Sequence, residues 1–218
     1  MAAVETIARP RRTQAQRSAA TRVRLLEATL QCLDDLGYAR TSTPEIARRA
    51  GLSRGAQLHH FPTKAELVTG AVEHLWARRH EEFLAAFARV PPGADRLAAA
   101  IDILWEMMSG ATFRAWVEIA VASRTDPELR RHVVELTTRF ADDVDRTFRA
   151  LFAAPSDAAD PFYGVAPRFA FALLDGLAMQ RLVLGAADRP ADEVLDALKA
   201  LARLVMPTPA NPSSQEER

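Results

Sequence analysis

The first strong pattern along the chain runs from Ser18 to Leu36, where the apolar residues Val23, Leu26, Leu30 and Leu33 recur at helical spacing and Gly37 supplies a stop. Thr43-Pro44 then reads as an N-cap followed by proline at the first helical position, where its missing N–H does no harm. That helix is short, because Gly51 follows within two turns, and Ser53 caps a second short helix reaching Phe61-Pro62. Thr63-Lys64-Ala65-Glu66 is a capping box that launches a long helix through Leu67, Ala71 and Leu75 to Phe87. Pro91-Pro92-Gly93 breaks it. Leu97, Ile101, Leu104 and Met108 mark the next helix, and Phe113, Trp116, Val117 and Ala120 another. Asp126-Pro127 restarts the chain for Leu129, Val133, Leu136, Phe140, Val144 and Leu151. Residues 153–160 read as a surface loop, followed by helices at about Phe162–Leu184 and Ala191–Val205. No segment alternates long enough to make a strand. The predicted fold is all-α with about nine helices.

Composition narrows the setting. Of 218 residues, 49% are hydrophobic, enough for a proper core. The single cysteine, Cys32, excludes an internal disulfide framework and fits a reducing compartment. No signal peptide and no run of the roughly 20 apolar residues of a membrane span is visible, so a cytoplasmic protein without membrane association is expected. Net charge is zero, yet ten arginines against five acids up to Phe61 give that segment +5 and the remainder −5. A basic N-terminal module on an acidic body is the asymmetry that phosphate binding requires, although a solvated basic face would look the same. The expected organisation is a flexible basic arm at 1–16, a helix-turn-helix domain at 17–63, a helical effector-binding and dimerisation domain at 64–206, and a disordered tail at 207–218.

Thr43 to His60 carries the function. Two short helices flank Gly51, with Ile46, Ala47 and Leu52 directed inward, and small Ala47 allows the second helix to cross closely. This is helix-turn-helix geometry, in which the second helix enters the major groove. Gly37-Tyr38, Thr41, Ile46-Ala47, Ala50-Gly51-Leu52-Ser53, His60-Phe61, Lys64 and Leu67 together resemble the signature of the tetracycline-repressor (TetR) family. The resemblance covers about the first third of the chain. It implies a homodimer whose C-terminal body binds a small molecule and moves the DNA-reading heads, most often as a repressor. The chain departs from the family at Gln57-Leu58, where Leu-Tyr is common: either Leu58 takes over the packing and leaves Gln57 exposed, or the helix is rotated.

By chemistry, Thr41, Ser42, Thr43 and Ser53 are candidates for phosphate contacts near helix N-termini, with Ser53 equally able to serve only as a cap. Arg54 and Gln57 suit guanine and adenine edges, Gly55 and Ala56 permit close approach, and Ala56 can touch a thymine methyl. His59 and His60 are candidate backbone contacts and Lys64 a phosphate clamp, while Arg48 and Arg49 read as solvated surface.

In the body, Trp76, Trp105, Met107, Met108, Phe113, Trp116 and Val117 lie on helices that TetR-like proteins wrap around a ligand, or they form plain core. Glu118, Arg114 and His80 are candidate polar contacts there. Phe169, Leu173, Gly176, Leu177, Leu184, Leu195, Leu198 and Leu201 make the last two helices richer in apolar residues than one packed face needs, and suggest a four-helix dimer interface. Catalytic groups, metal ligands and cofactor motifs are not recognisable: His59-His60 point in different directions, and no glycine-rich phosphate loop exists. The expected partners are operator DNA, a second copy of the chain and a small-molecule effector. The competing class is a helical adaptor that uses its head for protein contacts.

Overall fold

The computed structural model describes residues 13–108, 110–152, 161–185 and 190–205. Among these, the chain forms nine helices and no strand: α1 (Gln14–Arg40), α2 (Thr43–Arg49), α3 (Arg54–His60), α4 (Lys64–Phe87), α5 (Arg96–Met108), α6 (Ala111–Ser123), α7 (Pro127–Phe152), α8 (Pro161–Leu184) and α9 (Pro190–Val205). The tail, the 153–160 loop and the arginines Arg9, Arg11 and Arg12 lie outside the described residues.

Side-chain caps set most of the early boundaries. Thr13 and Gln16 form a capping box, so α1 starts before Ser18 and takes in residues expected in the arm. Ser42, not Thr43, caps α2; its hydroxyl accepts from the Glu45 N–H, and Pro44 falls one position further into the first turn. Ser53 caps α3 through the Ala56 N–H, and Thr63 with Glu66 closes the predicted box on α4. Asp126 Oδ1 accepts from the Leu129 N–H at 3.0 Å and opens α7.

Two glycines do what other residues cannot. Gly51 takes φ 62° in the turn between α2 and α3, and a Cβ there would lie 3.0 Å from an Arg24 nitrogen. That guanidinium donates to the Ala50 and Gly51 carbonyls, capping the end of α2. Gly37, at φ 71° and ψ 169°, breaks α1 so that its last turn is set off from the rod before it.

Apolar burial builds the core in zones. The first joins α1–α3 to the start of α4 through Leu25, Leu26, Cys32, Ile46, Phe61 and Leu67, with Cys32 fully buried at its centre. The second clamps the end of α1 and α4 against α6 and α7 through Leu33, Val68, Ile119, Leu129 and Leu136. The third and fourth lie among α4, α5, α6, α8 and α9. Each fully buried leucine in these zones contributes on the order of 2 kcal/mol relative to exposure.

Candidate nucleic-acid interface and effector cavity

The exposed side of α3 carries Arg54, Gly55, Leu58 and His59, with Ser53 just before it. Arg54 has no ion-pair or hydrogen-bond partner among the described residues, so its guanidinium is free to bind. Its neighbours on α2 are not: Arg48 and Arg49 both hold Glu45, at 2.7 and 2.9 Å, and Arg49 also reaches Asp35. These contacts, Arg48 first, draw the Glu45 carboxyl down to about 2.

Gln57 overturns its assignment to a base edge. It is fully buried, and its Nε2 donates to the Phe61 carbonyl at 2.6 Å, while its Oε1 has no partner among the described residues. Leu58 is instead 44% exposed, the reverse of the first of the two arrangements expected for this pair. The physical reason is the carbonyl at the end of α3, which needs a donor that leucine lacks. Thr41 is also buried, donating its hydroxyl to Gly37 O at 2.8 Å, so its hydroxyl faces the protein rather than a phosphate. Lys64 Nζ donates to Tyr38 O at 2.7 Å and sits 3.8 Å over the Tyr38 ring, where burial lowers its pKa. Ser42, Thr43, Gly55, Ala56, His59 and His60 keep at least partial exposure.

Tyr38 is the residue that sequence reasoning quoted as motif but gave no role. Its N–H donates to Glu118 Oε2 of α6 at 2.6 Å, its hydroxyl to Asp126 Oδ2 at 3.1 Å, and its carbonyl accepts from Lys64 of α4. Burial first, then Asp126, pushes its phenol up to about 12. Arg114 of α6 bonds Asp34 of α1 at 2.6 Å. Glu118 and Arg114, expected among cavity contacts, therefore tie α1 to the body.

A cavity of about 270 Å³ opens between α4, α5, α6, α7, α8 and α9. Trp76, Met107, Met108, Phe113, Trp116 and His80 line it, as does Phe140, which the pattern had assigned only to a helix face. Trp105 and Val117 do not. Trp105 packs with Leu174 and Leu177 inside the third core zone, under the Arg181 guanidinium, and Val117 packs against the same zone. One helix serves two sites: Thr112, Phe113 and Trp116 of α6 face the cavity, while Arg114 and Glu118 hold α1. Among the described residues no cluster of three or more His, Cys, Asp or Glu side chains is arranged to hold a metal ion.

Residues 25–71 match the bacterial regulatory proteins of the tetR family, and residues 92–204 match the tetracyclin repressor-like C-terminal domain. The chain belongs to the TetR family. It is 33% identical over 173 residues to an uncharacterized HTH-type transcriptional regulator of Mycobacterium tuberculosis, covering 79% of this chain and 88% of the relative. It is 36% identical over 129 residues to the HTH-type transcriptional regulator CymR of Pseudomonas putida, covering 59% of this chain and 64% of that one. The crystal structure of a putative transcriptional regulator from Pseudomonas aeruginosa PAO1 superposes with a TM-score of 0.64 at 26% identity, covering 90% of this chain and 96% of that one.

As a TetR-family member the protein is a DNA-binding transcriptional regulator, of a family that binds operator DNA, dimerises and binds small molecules. Its α8 has two apolar sides. Leu174, Leu177 and Ala178 pack inward, with Leu195 and Leu198 of α9, so Leu177, Leu195 and Leu198 belong to the protomer's own core rather than to an outer face. Leu173 is half-buried against the same zone. The outer side of α8 presents Val165, Phe169, Ala172, Gly176, Met179 and Val183, alternating by four and three; Phe169 also lines the cavity, and Val183 is 75% exposed. Leu184 is exposed beside it, and α9 adds Leu204 and, at the edge of the cavity, Leu201. Among the described residues no helix is long and apolar enough to cross a membrane.

Proposed function

We propose that this TetR-family regulator is a homodimeric repressor that a hydrophobic small molecule releases from a palindromic operator. The observation that carries the reading is the double duty of α6. A ligand that displaces Trp116 or Phe113 on one side of that helix moves Glu118 and Arg114 on the other; Glu118 carries with it the last turn of α1, set off by Gly37, and Arg114 the rod before it through Asp34.

In this reading α3 lies in the major groove. Arg54 pairs with guanine O6 and N7, exposed Leu58 meets a thymine methyl, and Gly55 and Ala56 allow close approach. Ser42, Thr43, Ser53, His59 and His60 contact the backbone, and Lys64 adds any N–H left over from Tyr38. The outer side of α8, with Leu201 and Leu204 of α9, pairs across a two-fold axis, because a row of exposed apolar residues of this length is otherwise unfavourable in water.

Selection from a random duplex library tests the reading. The expected product is an inverted repeat with half-sites about one helical turn (~34 Å) apart, bound with an affinity that falls steeply with salt. A folded dimer that enriches no sequence would overturn it.

A further inference from the structure

One carboxyl group on the cavity wall has no ion-pair partner among the described residues. Asp175 of α8 lines the cavity one turn beyond Phe171, on the same side of the helix, and makes no hydrogen bond or ion pair among the described residues. Burial pushes its carboxyl pKa up. The guanidinium on the wall, Arg79, is already held by Glu82 at 2.6 Å and donates to Thr112 at 3.1 Å. His80, the other titratable lining residue, is exposed.

Around this carboxylate the wall is aromatic. Trp116 meets Trp76 at 5.2 Å between centroids, Trp76 meets Phe140 at 4.4 Å, and Phe140 meets Phe171 at 5.4 Å, all four rings lining the cavity. Ring faces carry the negative side of the aromatic quadrupole and attract a cation. A neutral apolar ligand would seal Asp175 from water without compensation, and an anion would be repelled by both carboxylate and ring faces.

We propose that the cavity selects an organic cation with an apolar body, a protonated amine or quaternary ammonium whose charge sits at Asp175 and whose hydrocarbon lies against the four rings. This deepens, and rests on, the reading of the cavity as the effector site.

Two compounds of matched shape test it: (4-hydroxyphenyl)trimethylammonium and its neutral counterpart 4-tert-butylphenol. Each is titrated calorimetrically into the full-length dimer, and each is added to the dimer on its selected operator. The ammonium compound is expected to bind at least about tenfold more tightly. Asp175→Asn, of nearly unchanged shape, should abolish most of that preference while leaving the phenol within about twofold and the Tm equal or higher. Equal binding of the two compounds overturns the cation preference and leaves the effector reading standing. Failure of both to bind overturns it as well. Preferential binding of the cation without any change in operator affinity keeps the inference about the cavity and refutes its coupling to DNA.

Discussion

α3 and α8 are both helices with an exposed side, and they are finished differently. In α3 the polar group that would be stranded at the helix end, the Phe61 carbonyl, is satisfied by buried Gln57, and Ser53 closes the other end. The outward residues are few, and one is a free arginine. α8 instead packs one apolar side into its own protomer and presents a second to water along most of its length. In the proposed dimer, one protomer therefore holds a complete reading element and only half of the structure that places it. Affinity for DNA is to be sought in the first, and the geometry of two half-sites in the second.

The contrast breaks most severely at α8. Gly176→Glu places a charge in the middle of the outer row where a Cβ meets nothing within 4 Å, so the protomer folds. Sedimentation should show monomers, and operator affinity should fall by about 100-fold or more as the second head's contribution is lost. A dimeric Gly176→Glu protein would mean that another surface pairs the protomers. Arg54→Ala comes next: loss of a bidentate base contact lowers operator affinity by about tenfold to a hundredfold, read by fluorescence anisotropy against a scrambled duplex whose binding changes much less. An equal loss on both duplexes would reassign Arg54 to the phosphate backbone.

The smaller effects concern how the head is closed. Gly51→Val forces a branched residue into positive φ against Arg24 and should destabilise the protein by about 1–2 kcal/mol in urea titrations, with an unchanged m-value. Gln57→Leu removes an unpartnered buried acceptor together with one hydrogen bond. The first change offsets only part of the second, because the Phe61 carbonyl loses its donor, so Tm should fall by a few degrees while operator affinity changes by less than about twofold; a tenfold loss of affinity would return Gln57 to the DNA face.

The same contrast explains what could be read from residues alone. The reading element was legible because its determinants are local: a glycine in the turn, Ser53 before α3, and Thr63 with Glu66 before α4 act over three or four residues. The displacement of the α2 cap from Thr43 to Ser42 is a choice between adjacent hydroxyl residues that local pattern does not separate. Gln57 was misplaced because its partner is a carbonyl, and backbone groups leave no mark in a pattern of side chains. α8 is over-rich in apolar residues by sequence alone, but when both sides are apolar, periodicity does not say which faces inward, which is why Leu177, Leu195 and Leu198 read as outward from sequence and lie in the core. Trp105 and Trp116 likewise differ only in which neighbouring helix they meet. Tyr38, Glu118 and Arg114 act across some eighty residues of sequence, and only the folded chain brings them together.

The single thiol of the chain has a practical use. Cys32 is sealed in the first core zone, and burial raises its pKa, so little reactive thiolate reaches solvent. A cysteine introduced at an exposed position on α3, such as His59→Cys, would then be the site where a spin label attaches, with the native thiol left in place. In a two-fold dimer such a protein carries one label per head, and the distance between labels becomes a ruler for head separation, readable with and without ligand on the same sample.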